Sequence, residues 1–222
     1  MSDILTNLNP QQIKAVTFDN GPLLILAGAG SGKTRALTHR AAYLILEKGI
    51  SPENILLLTF TNKAAGEMKS RIQLLLAHNS KFIIHNSPFA GTFHSFCARI
   101  LRIEGEMLGI PKSFVIYDES DQVETIKHVL KSLDLSPKDF NPNSVLTTIS
   151  EAKNELISEL EYPQYTRTSW QKTAAEIYLD YQRKLSSSNA LDFDDLLSKT
   201  VLLFKRFPEI LGKYQNKYHF IL

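Results

Sequence analysis

The apolar run Pro22-Leu23-Leu24-Ile25-Leu26 passes directly into Ala27-Gly28-Ala29-Gly30-Ser31-Gly32-Lys33-Thr34, and this junction limits what the chain can fold into. The run predicts a buried strand over residues 23–26, and the glycine-rich stretch predicts a tight turn opening a helix. Glycines let a backbone approach a polyphosphate and aim successive N–H groups at it, Lys33 adds a point charge, and the Thr34 hydroxyl can ligate magnesium at the helix start. The stretch therefore reads as a nucleoside triphosphate site. In the P-loop pattern G-x-x-x-x-G-K-[ST], the first glycine position is Ala27 here, which requires a negative φ at that residue.

Composition restricts the rest. With 43% hydrophobic residues in 222, the chain has ample material for a core. No apolar run approaches the ~20 residues of a membrane helix, and the N-terminus lacks a basic-then-apolar leader, so no membrane association and a cytoplasmic location are expected. Cys97 is the one cysteine, which excludes an intramolecular disulfide and a cysteine metal cluster and fits a reducing compartment. Lys and Arg total 25 against 23 Asp and Glu, so a nucleic-acid partner has to be argued from local residues.

Strand-like runs at 23–26, 55–60 and 89–93, each followed by helical periodicity, predict an α/β fold with a parallel sheet. After Lys33, positions Leu37, Ala41, Leu44 and Ile45 keep helical spacing up to Gly49, and Ala65, Met68, Ile72, Leu75 and Leu76 mark one face of the next helix. From about Gly109 the strands cease. Helical patterns follow over 118–133, 152–160 and 174–185, with Ile177, Tyr178, Tyr181 and Leu185 on one face. Residues 186–189 read as a polar hinge, after which Phe193, Leu196, Leu197, Thr200, Val201 and Phe204 form an amphipathic stripe. Asp192 fits the N-cap of that helix. Asp192, Asp194 and Asp195 follow a polar segment rather than a buried strand, which argues against a magnesium-binding acidic motif. Residues 218–222 look like an unfinished strand, so the chain is expected to be a truncated part of a longer protein.

Five motifs follow in order: Leu8-Asn9-Pro10-Gln11-Gln12, the 27–34 loop, Thr59-Phe60-Thr61-Asn62-Lys63-Ala64-Ala65, Gly91-Thr92-Phe93-His94-Ser95-Phe96 and Leu191-Asp192-Phe193-Asp194-Asp195-Leu196-Leu197. Their order resembles the superfamily 1 DNA helicases of the UvrD/Rep/PcrA type. The resemblance implies a RecA-like P-loop NTPase fold with an inserted all-helical subdomain: residues 1–108 begin the first core, 109–188 form the insertion, and 189–222 return to the core. It implies ATP and Mg²⁺ as cofactors, with Lys33 and Thr34 on the phosphates and metal, Arg35 near the base or phosphates, and Gln12 on the adenine edge.

Single-stranded DNA and duplex junctions are the implied partners. Phe60 is then a base-stacking residue, Thr61, Asn62, Thr92 and His94 hold DNA phosphates, and Phe193 lies near the DNA groove. Each position has a plainer reading. Phe60 and Phe193 are also candidates for core packing, and the hydroxyls of Thr92 and Ser95 for helix capping. The parent is expected to be an ATP-dependent 3′–5′ helicase or translocase acting in repair or replication, with this part alone unable to hydrolyse ATP efficiently. A naturally short, non-catalytic nucleotide- or DNA-binding module is the alternative. A small-molecule phosphotransferase would explain Lys33 but not Phe60, Thr92, Phe93 or His94.

Overall fold

A computed structural model describes residues 3–19, 21–79 and 87–222. In chain order the elements are α1 (Pro10–Val16), α2 (Lys33–Leu46), β1 (Ile55–Thr59), α3 (Asn62–Asn79), β2 (Phe89–Thr92), α4 (Phe93–Glu104), β3 (Val115–Ile116), α5 (Glu119–Ser132), α6 (Pro142–Asn154), α7 (Ser169–Ser187), β4 (Ala190–Leu191), α8 (Phe193–Arg206), α9 (Pro208–Lys217) and β5 (Phe220–Ile221). The chain divides into two compact units, Met1–Phe93 with Leu211–Leu222, and His94–Ile210. Among the described residues no helix is long and apolar enough to cross a membrane.

The first unit is α/β. Its sheet runs β2-β1-β5, with both pairings parallel and Leu57 opposite Ala90 in the register. Ile55, Leu56 and Leu57 are buried in succession, as expected of a strand covered on both faces. Ala41, Ala42, Leu44 and Ile45 of α2 and Met68, Ile72 and Leu76 of α3 pack with Ile55 and Leu57 in one core, so the helical stripes read in the sequence are the faces that bury. Gly49 turns the chain after α2 at φ +66°.

The strand expected at 23–26 does not form. Leu24 and Leu26 are 81% and 87% exposed, and none of the four residues joins a ladder. A strand needs a partner as well as apolar side chains. Neighbouring β5 spans two residues, and the chain at its end bonds to β1, with Leu222 N–H donating to Leu56 O at 2.8 Å and Leu58 N–H to Leu222 O at 2.9 Å. Residues 23–26 instead border a cleft of about 410 Å³ whose walls include Leu23, Ile25, Phe220 and Leu222.

The second unit is mainly helical. Ile126, Val129 and Leu130 of α5, Val145 and Ile149 of α6, and Ile177, Tyr178, Tyr181 and Leu185 of α7 share its core. Two features differ from the sequence reading. The helix expected at 152–160 ends at Asn154, because Leu156 takes φ +60°, a left-handed conformation that no helix continues through. The polar hinge at 186–189 is absorbed into the end of α7 and a turn at Asn189 (φ +50°), which leads into a short parallel pair, β3 with β4.

Candidate phosphate loop and nucleic-acid surface

Gly30 and Gly32 adopt φ +75° and +86°, the conformations that make glycine necessary in the loop, whereas Ala27 is not among the positive-φ residues. The loop closes on itself, with Ser31 Oγ donating to Gly28 O at 2.7 Å. The Lys33 ammonium folds back over it, donating to Ala27 O at 2.9 Å and Gly28 O at 2.8 Å. Thr34 and Arg35 are exposed in the first turn of α2.

The start of α2 is chemically distinct from those of α1, α5, α6, α7 and α8. Asn9, Asp118, Thr168 and Asp192 cap α1, α5, α7 and α8 with reciprocal capping boxes, and Asn141 caps α6. The N-cap of α2 is Gly32, which has no side chain to offer. The first-turn amides of a 14-residue helix therefore lack a side-chain acceptor, beside an exposed ammonium. That donor set suits an anion of the polyphosphate kind, and the Thr34 hydroxyl alongside it suits an accompanying Mg²⁺.

Gln12 reaches the same loop from α1. Its Nε2 donates to Ser31 O at 3.2 Å, while Oε1 accepts from Asn9 N–H at 3.1 Å in the capping box. A Cβ at position 32 would lie 2.6 Å from Gln12 Nε2, so Gly32 permits this close approach as well as its own backbone angle. Arg40 fixes α1 in turn, its guanidinium donating to the carbonyls of Ala15, Val16 and Phe18 at 3.2, 3.1 and 2.7 Å. Burial draws Arg40 below its usual pKa, against the opposing charge of Asp19.

The carboxyl ends of β1 and β2 present aromatic rings. Phe60 is 91% exposed, with the 45%-exposed Phe93 beside it at a centroid separation of 6.2 Å. Core packing is therefore not the role of Phe60. Thr61 caps α3, accepting from Ala64 N–H at 3.1 Å, and Asn62 is exposed at the first turn. Thr92, at the end of β2, is buried at 8% exposure, which leaves little of it for the phosphate contact that the resemblance implies.

In the second unit His94, half-buried near the start of α4, meets Phe193 edge-on at 5.7 Å and 82°. Phe193 is 46% exposed at the first position of α8, so it sits on the margin of the stripe whose buried members are Leu196, Thr200 and Leu203. Cys97 is a half-buried thiol whose pKa is raised by burial, with a hydrogen bond to Thr200 opposing.

A buried ionic network lies behind Phe193. Asp192 caps α8, and Asp195 completes the capping box. Lys153, 3% exposed on α6, contacts Asp192 Oδ2 at 2.6 Å and Asp195 Oδ1 at 3.0 Å. The Tyr181 hydroxyl donates to Asp192 Oδ2 at 3.0 Å, and Gln182 Nε2 donates to both Asp195 oxygens at 3.1 Å. These aspartates serve a cap and an ammonium. Burial raises the Asp192 pKa, with the Lys153 charge opposing and the Asp195 charge adding. Lys153 escaped the sequence reading, although its spacing from Val145 and Ile149 places it near an apolar stripe, where an ammonium signals a buried anionic partner.

A parallel sheet, a glycine-rich loop opening α2 and solvent-facing aromatics at the strand ends fit the P-loop NTPase class in its RecA-like form. The chain belongs to the UvrD/REP helicase family, matching the UvrD/REP helicase N-terminal domain over residues 8–222. It is 48% identical, over 99% of its length, to the ATP-dependent DNA helicase PcrA of Bacillus subtilis (strain 168), and covers 29% of that protein. Against PcrA of Staphylococcus aureus (strain Mu50 / ATCC 700699), identity is 47% over 100% of the chain and 30% of the relative. The chain thus spans about 30% of the length of these relatives.

Proposed function

We propose that this chain is the N-terminal, ATP-binding portion of an ATP-dependent 3′–5′ DNA helicase or translocase that acts on single-stranded DNA and duplex junctions. The observation that carries the reading is the start of α2, where a helix without a side-chain cap meets the Lys33 ammonium above a positive-φ glycine loop. The names of the relatives point the same way. Lys33 and the loop amides of residues 27–32 bind the phosphates, Thr34 holds Mg²⁺, Gln12 faces the adenine edge, and Arg35 lies near the base or phosphates. ATP bound with its metal supplies the phosphoryl-transfer energy of the whole protein. Phe60 stacks on bases, Thr61 and Asn62 meet phosphates beside it, and His94 and Phe193 form a further contact with the strand.

Residues 1–108 and 189–222 belong functionally to the nucleotide-binding core, and 109–188 to an inserted helical subdomain. Packing draws its own line because α4 starts at the end of β2 and continues into the helical unit. Efficient hydrolysis is assigned to the whole protein. It needs metal, water and cation placed together, and an arginine finger alone contributes about 10³- to 10⁵-fold in rate.

Isothermal calorimetry with ATP and Mg²⁺ tests the reading. Lys33→Ala removes a charge-assisted donor worth about 1.5–3 kcal/mol, so affinity is expected to fall about tenfold or more. Absence of nucleotide binding by the unmodified chain would overturn the assignment.

A further inference from the structure

We infer that the buried Lys153–Asp192–Asp195 network is the positioning device for Phe193 and its edge-on partner His94, so that Lys153 sets how one aromatic contact to single-stranded DNA is presented. The inference deepens the DNA reading above and rests on it for its functional meaning. The geometry is continuous. Lys153 on α6 grips both carboxylates of the α8 capping box, at 2.6 and 3.0 Å, and Tyr181 on α7 adds a hydroxyl bond to Asp192 at 3.0 Å. Asp192 immediately precedes Phe193. Three helices thereby fix the residue next to a ring that is itself only half covered and makes a T-shaped contact with His94 at 5.7 Å.

An ordinary N-cap needs one oxygen acceptor and no buried cation. The end of α8 is instead held by an ammonium taken out of water. Such pairs are weak as stabilisers, and their best-attested use is to fix register. Phe193 occupies an edge position where apolar packing alone fixes a ring poorly, so register is what this ring needs. Asp192 and Asp195 hold the start of α8, and the half-covered ring of Phe193 is left for a base.

Lys153 and Tyr181 are positioning residues in this account, and the test reads position separately from binding. In NMR spectra of the 222-residue chain, the His94 ring signals carry the ring-current effect of Phe193, which Phe193→Ala removes. Lys153→Met is expected to shift those signals toward their Phe193→Ala positions, and Tyr181→Phe to move them less in the same direction. Tyr181→Phe leaves the ion pairs intact, so it serves if Lys153→Met fails to fold. A folded Lys153→Met, or in its place Tyr181→Phe, with His94 signals at their unmodified positions overturns the inference.

Fluorescence anisotropy with a labelled oligothymidylate supplies the second readout. Phe193→Ala is expected to weaken binding about fivefold or more, the loss of one base–aromatic stack. Adding Lys153→Met in that background is expected to cost no more, because its effect passes through the ring. A further loss there would assign Lys153 a general structural role and overturn the inference. If Phe193→Ala leaves oligothymidylate binding unchanged while the His94 signals respond as described, the DNA reading of Phe193 fails and the positioning network stands.

Discussion

The ring of Phe60 stays in solvent at the end of a strand whose first three side chains are buried, while the ammonium of Lys153 is withdrawn from water; each environment runs against the residue's ordinary preference. For Phe60 the consequence is a separation of stability from binding. Phe60→Ala is expected to change thermal stability by no more than about 0.5 kcal/mol, as for other surface sites, yet to weaken single-stranded DNA binding by about 1–3 kcal/mol. Melting curves and anisotropy titrations of the same preparation check both halves. For Lys153 the consequence is a pH dependence. Burial alone would lower its pKa, but the charges of Asp195 and Asp192 more than offset this, so the value is raised. Tyr178 and Tyr181 are raised too, chiefly by burial. A raised folded-state value means that the stability from these groups is complete below their unfolded values, about 10.4 for lysine and 10 for tyrosine, and is lost as pH rises through the folded ones. The melting temperature is therefore expected to decline above about pH 10, and Tyr181→Phe to flatten that decline. An equal slope in the variant would remove Tyr181 from the account.

Helix starts separate two jobs among the elements. Side-chain caps on α1, α5, α6, α7 and α8 stabilise, whereas the bare start of α2 stays available to a ligand. Placement of α1 beside that start depends on Arg40, which donates to the α1 carbonyls of Ala15 and Val16 and to Phe18 just beyond them, while Gln12 meets the loop. Arg40→Met leaves those carbonyls without their donor. Hydrogen exchange of α1 amides is expected to quicken by an amount corresponding to about 1–3 kcal/mol, with α5 unaffected. The longer helices were legible because their apolar faces repeat over several turns, as in α3 and α7. Strands β3 and β4 were not, since two residues apiece cannot display a period, and Val115 and Ile116 are paired only through the distant Ala190 and Leu191.

Among the described residues one core lies around Ile55 and Leu57 and another around Ile177, Tyr181 and Leu185. Truncating a fully buried leucine costs about 2–5 kcal/mol, and distant sites with no shared partner add. Leu57→Ala and Leu185→Ala are each expected to lower exchange protection mainly within their own unit, and the double variant to show the sum of the two losses. Strong coupling between the two substitutions would mean that the cores unfold as one.

Local sequence was enough to expect the glycine turn that opens α2, the α/β class and the capping role of Asp192, because each rests on residues close in sequence; the family was legible from the order of motifs along the whole chain. Tertiary structure alone decided which apolar residues are buried and which charges are paired. Residues 23–26 are as apolar as β1 yet stay outside any ladder, and Phe60 is exposed where Leu57 is buried. Lys153 is separated by 39 positions from the aspartate it neutralises. Hydrogen-bond partners and burial belong to pairs of segments, so no single segment can specify them.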